Sequence, residues 1–280
     1  MSATTISHFR LIIHRACCVS VTVAFLVAIT YGKGQQSQGS ESANVSSNDL
    51  SVAIDRAKQD DADSMFYVEK LGHAGATQAI PVLEDKFSRT KDPDDAAKIA
   101  QVLVRLGDKK DAYWNFLVKR ATEAIQSDAP DFLNYDAQGK SEPGPSPQFA
   151  SWAAAHNVSA NGSADAQQAV YDFPGRVLLL GATGDPRAIP LLREGLSSPN
   201  HLIETAAALA LAEVGDKESI PLIVAACQKA PAEAASSIAR ALVYFDDATA
   251  QSTADKYMGK ARADQLRQAR AEGKKTPLSY

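Results

Sequence analysis

From Leu50 onward, apolar residues recur at the period of an α-helix rather than alternating as in a strand. Ile220, Ile223, Val224 and Cys227 fall at i, i+3, i+4 and i+7. Ile203, Ala206, Ala207, Ala210, Leu211 and Val214 repeat that spacing in the stretch before. Such segments come in pairs, each stopped by a glycine (Gly72, Gly107, Gly184, Gly215) or, in the last pair, by Asp246. A glycine tolerates the left-handed backbone that ends a helix. Neither helix of a pair can bury its stripe alone, whereas stacked pairs bury both faces. The pattern predicts an all-α fold, an α-solenoid of about five antiparallel helix pairs, over residues 50–126 and 166–258.

Three of these junctions share a short motif. "GDPRAIPLL" (184–192) returns as "GDKESIPLI" (215–223), and more loosely as "GATQAIPVL" (75–83). Asp185 and Asp216 are suited to cap the helices that follow. With those caps, Pro190 and Pro221 stand at the fifth helical position, where a proline is expected to bend the helix. The pattern Gly-Asp-x-x-[Ala/Ser]-Ile-Pro-Leu resembles the HEAT repeats, especially the short variety of phycobilin-lyase-like proteins. The resemblance covers Asp61–Ile125 and Ala166–Tyr257 and implies helix pairs stacked into a curved superhelix. The family often carries an arginine early in the second helix. Here Ala96, Glu204 and Ala235 align there, so a regular ladder of polar contacts is not expected at that position.

Residues 127–165 break the period, with three prolines between Pro143 and Pro147 and many small polar residues. Yet Phe132, Tyr135, Phe149 and Trp152 lie among them, more aromatics than a free linker carries. The stretch reads as an inserted loop with a short helix near 148–156. Phe149 and Trp152 are expected to pack on the stack near Trp114 and Tyr171. Trp114, Phe149 and Trp152 are thus the candidate residues for insert packing or for protein binding. Residues 259–280 are helical in propensity but nearly all polar, as expected of a solvated end-cap and tail. Lys256, Lys260, Arg262, Arg267 and Arg270 could give it a basic face.

The first 34 residues differ from the rest. Arg10 and Arg15, with no acidic residue, precede the apolar run Ala16–Thr30. That is the pattern of a signal peptide, or of an N-terminal anchor if it is retained. No small-residue cleavage motif follows, and Cys17 and Cys18 stand at the wrong end of the run for a lipoprotein signal. Residues 35–49 are polar and rich in Ser and Gln, a flexible tether. Counted from Lys33 to Asp49, it would reach roughly 20–25 Å. Export, to a periplasmic or extracellular location, or tethering to the cytoplasmic membrane through residues 16–30 is the expected address.

Composition narrows the chemistry. Of 280 residues, 45% are hydrophobic and only 7% aromatic, and the alanine-heavy apolar share suits closely packed helices. The formal charge of -4 gives no footprint for nucleic acid. Beyond residue 34 Cys227 is the lone cysteine, which excludes an intramolecular disulfide there. His73, His156 and His201 share no metal-ligand spacing, and "GATGD" (181–185) lacks the strand and lysine of a phosphate loop. His201 and Cys227 should fall at one end of their helix pair, so a thiol–imidazole nucleophile is conceivable. Cys227 also belongs to the apolar stripe, which favours a buried structural thiol. Asn44, Asn157 and Asn161 match the glycosylation sequon, a motif short enough to arise by chance. No cofactor and no metal are expected. The function these features suggest is a non-catalytic scaffold for a protein partner. A lyase-type accessory enzyme, implied by the resemblance, and a structural cell-envelope spacer are the alternatives.

Overall fold

A computed structural model describes residues 47–61, 63–155, 172–274 and 276–278. The apolar run 16–30, most of the tether, the sequons, His156 and Tyr171 lie outside the described residues. No helix among the described residues is long and apolar enough to cross a membrane.

The described chain is an all-α solenoid with one two-stranded hairpin. In order come α1 (Ser47–Ala57), α2 (Ser64–His73), α3 (Ile80–Arg89), α4 (Pro93–Arg105) and α5 (Asp111–Ile125). The hairpin β1 (Leu133–Tyr135) and β2 (Ser141–Pro145) and helix α6 (Pro147–Ala155) form the insert. Then follow α7 (Phe173–Ala182), α8 (Ile189–Gly195), α9 (His201–Val214) and α10 (Ile220–Lys229). Last are α11 (Ala232–Ala239), which tightens into a 3-10 turn through Tyr244, α12 (Ala248–Met258) and α13 (Lys260–Ala271).

The helices form two layers. In one, α2, α4, α7, α9 and α11 pack in succession; in the other lie α3, α5, α8, α10 and α12. α7 packs on both α4 and α5, so the stack continues beneath the insert as if the insert were absent. Helix α9 is the centre of the molecule, with Ile203 and the run Ala206–Ala212 all buried. Its alanines set the spacing. A Cβ on Gly181 of α7 would stand 2.3 Å from the Ala210 Cβ, so the two backbones meet with only a methyl group between them.

The proline motif resolves differently from the sequence expectation. Each motif opens with a short 3-10 turn (Thr77–Ala79, Pro186–Ala188, Lys217–Ser219), and the α-helix begins only at the isoleucine. Pro81, Pro190 and Pro221 are therefore the second residues of α3, α8 and α10. The first turn has no partner for its N–H groups anyway, so a proline there forfeits no bond and does not bend the helix. Asp185 caps its turn as expected, accepting from the Arg187 amide. Asp216 does not; its carboxylate takes Arg193 in a two-pronged bond, both at 2.9 Å. Arg193 also donates to Ser219 Oγ at 2.9 Å. This ties the end of α8 to the next turn, so polar ties between repeats exist, but at another place than the second-helix position. Gly107, Gly184 and Gly215 take positive φ after their helices. Gly72 does not: α2 runs through it to His73, and Gly72 instead lets Val102 of α4 approach.

At the far end, three basic side chains of α13 are paired with carboxylates. Lys260 bonds Asp264 at 2.8 Å, Arg267 bonds Asp255 at 2.7 Å, and Arg270 bonds Asp246 at 3.1 Å. Ala263 is buried beneath them.

Candidate functional site

The insert is built from the chain end of α5 outward. Asp136 closes the hairpin turn, its Oδ1 accepting from the Gln138 and Lys140 amides at 2.8 and 2.9 Å. Gly139, at φ 73°, brings the turn against α11. There its carbonyl accepts from the Glu233 amide at 2.9 Å, and Glu233 Oε2 accepts from the Ser141 amide at 2.8 Å. A side chain on Gly139 would meet the Ala232 nitrogen at 2.3 Å. Ser146 then starts α6, its Oγ accepting from the Phe149 amide at 3.0 Å.

Phe149 is fully buried in a small second core with Ala129 and Ala153, covered by Phe132, Trp152, Phe173 and Leu202. Its ring meets Phe132 edge-on at 5.1 Å and lies tilted 5.5 Å from Trp152. The Trp152 indole donates to Asp128 at 2.9 Å. Of the three candidate residues, the structure brings Phe149 and Trp152 together and leaves Trp114 elsewhere. Trp114 lies half-buried in the first turn of α5, with the Arg187 guanidinium over its ring at 4.3 Å. The insert leaves from the opposite end of α5, about 16 Å away at 1.5 Å per residue. Its aromatics therefore reach α7 and α9 rather than Trp114.

Sequence reasoning named His201, Glu204 and Tyr135 singly but missed their meeting at this junction. His201, first residue of α9, meets Tyr135 of β1 edge-on at 5.9 Å, and its Nδ1 bonds Glu204 Oε2 at 2.9 Å. Glu204 is buried. Burial alone would pull the His201 pKa down, but the Glu204 hydrogen bond and the Asp131 and Glu204 charges hold it above its ordinary value. Burial pushes the Asp131 carboxyl up, against the pull of His201. Burial and the neighbouring Asp131 push Tyr135 up as well. The i, i+3 spacing of His201 and Glu204 was the visible signal; their meeting with Asp131 and Tyr135 was not.

Two shallow grooves meet at His201. One, of about 300 Å³, lies between α8, α9 and α10, with Leu196, Leu222 and Lys229 on its walls. The other, of about 400 Å³, lies under the hairpin, lined by Asp131, Tyr135, Gln148 and Pro199. Cys227 is buried, and burial, then the Glu204 charge, pushes its thiol up to about 12. His201 bonds Glu204 instead of the thiol, so no thiol–imidazole pair is assembled. A thiol held so high is almost wholly protonated near neutral pH and a poor nucleophile.

Among the described residues, a two-layer stack of helix pairs defines an α-solenoid. Residues 177–243, from α7 through α11, match the HEAT-repeat family, whose members are generally protein-interaction scaffolds. The chain has no significant match among curated protein sequences.

Proposed function

We propose that this chain is an exported or membrane-tethered, non-catalytic scaffold that binds a protein partner where the insert meets α8–α10. The observation that carries the reading is the composite surface itself. Two grooves meet at His201, one combining insert and repeat residues and the other walled by repeat residues, where Leu222, a large apolar side chain, stands 45% exposed. Partly apolar concave surface with a few placed polar groups is what a partner's side chains can fill. The HEAT-repeat match over 177–243 supports a protein as the partner. The high Cys227 thiol argues against a nucleophilic role for that cysteine. The N-terminal address rests on the charge and apolar pattern of residues 1–34. In the cell, residues 1–49 fused to a reporter active only outside the cytoplasm should give active reporter. Affinity capture from the producing cell should recover a defined protein with the wild-type chain. Leu222→Asp with Lys229→Glu should lose it at unchanged melting temperature. Equal recovery by both chains would move the partner surface elsewhere.

A further inference from the structure

Helix α10 carries two stripes. Ile220, Ile223 and Cys227 face the core. Leu222, Ala225, Ala226 and Lys229 fall at i, i+3, i+4 and i+7, and all four line the groove of about 300 Å³ between α8, α9 and α10. This second stripe is graded along its length. The exposed Leu222 stands at one end, the two alanines keep the middle low, and the exposed Lys229 stands at the other end. Seven residues of helix separate the ends by about 10 Å.

The charges around the groove are not equally available. Glu204 is buried, and its carboxylate is taken up by His201 Nδ1 at 2.9 Å. Arg193 of α8 spends Nε and Nη2 on Asp216, Ser219 and Glu218. Those bonds fix the guanidinium in place, and its Nη1 has no partner among the described residues. Lys229 likewise makes no ion pair among the described residues. What the walls offer an incoming group is therefore an ammonium and one edge of a guanidinium, beside an apolar side chain. The chain as a whole is acidic, at a formal charge of -4, so this groove is a local exception.

We infer that the groove between α8, α9 and α10 receives an acidic segment of the protein partner, with an apolar side chain against Leu222 and a carboxylate at Lys229. This rests on the scaffold reading above and gives its partner a chemistry. A segment in the polyproline-II form repeats every three residues at about 3.1 Å each, so side chains three apart lie on one side about 9 Å from each other. That matches the length of the stripe. The apolar side chain covers Leu222 and the alanines and supplies most of the affinity. An exposed ion pair adds little affinity; its effect is selection, because a basic segment would set its charge against Lys229 and Arg193.

The probe is a phage-displayed library of random dodecapeptides, selected on the full wild-type chain. Selected peptides should carry Asp or Glu three residues from a large apolar residue. One of them, labelled with fluorescein, should bind Lys229→Glu about three- to tenfold more weakly than wild type, since an attraction becomes a repulsion. Lys229→Glu should in turn prefer the same peptide with its acidic residue changed to lysine, a reversal that loss of structure would not give. Because Lys229 is exposed and unpaired, the melting temperature should hold. A selection that enriches no sequence, peptides without an acidic residue, or equal affinity for wild type and Lys229→Glu would overturn the acidic partner. So would wild-type chain that self-associates in sedimentation while Lys229→Glu stays monomeric, which would give the groove to a second copy. If Lys229→Glu has no effect but Leu222→Asp still weakens the peptides, the scaffold surface stands and only its charge preference falls. If neither substitution weakens them, the groove reading falls as well.

Discussion

His201 is the residue on which insert and repeats meet, and its environment gives a direction with pH. Its folded pKa lies above the ordinary value near 6.5. A cationic acid with a raised folded pKa contributes stability below its unfolded pKa and loses it as pH rises through the folded one. Asp131 is also raised, from an ordinary value of 3.8, so its proton too favours the folded state at lower pH. Tyr135, Glu204, the Glu233 carboxylate near Tyr135, and Arg193 and Lys229 on the groove wall also face this junction. Insert docking should therefore be firmest below about pH 6.5 and weaken above it. Amide exchange in the hairpin and α6, corrected for intrinsic rate, should be slower at pH 6 than at pH 8. His201→Asn should flatten the difference. A wild-type profile without pH dependence would remove His201 from the docking. None of this was legible from single residues. The sequence marked His201 only as a partner for Cys227, because the spacing along two helices places both at one end. It could not show that Glu204, one turn on, competes for the imidazole and wins.

At the scale of elements, the helices and their pairing were legible, because the 3.6-residue period and the punctuating glycines act within one stretch of chain. What failed were inferences that depend on where a helix starts. Pro190 and Pro221 looked like interior prolines only because the 3-10 turn before each helix leaves no mark distinct from helix. With Pro190 at the second position of α8, Pro190→Ala should change stability by less than about 1 kcal/mol, with any loss coming from a freer unfolded chain. A gain near 3 kcal/mol would put the proline back in a helix interior. The α7–α9 contact makes the opposite test. The Cβ of Gly181→Ala would need space that Ala210 already fills at 2.3 Å, and both atoms sit on backbone that cannot swing aside. The substitution should lower stability by about 1–3 kcal/mol in denaturant unfolding. The alanine content anticipated such tight packing, but not which glycine sits across from which alanine. Trp114 was misplaced for a plain reason: it stands at the far end of α5 from the insert it was expected to meet.

As a whole, the molecule is an unbroken stack in which α7 follows α4 and α5 directly and the insert is laid over the later repeats. In such a stack each pair leans on its neighbours, so the insert is free to elaborate one surface without interrupting the core. That arrangement is what makes the groove by His201 the partner surface of the account, rather than the apolar positions exposed at the other end, such as Val52. The measurement that tests this most directly is site-specific photo-crosslinking in the producing cell, with the crosslinking residue placed at Leu222 or, for comparison, at Val52. The account predicts a discrete adduct of one partner at Leu222 and none at Val52. Adducts at both sites alike, or none at Leu222, would contradict it.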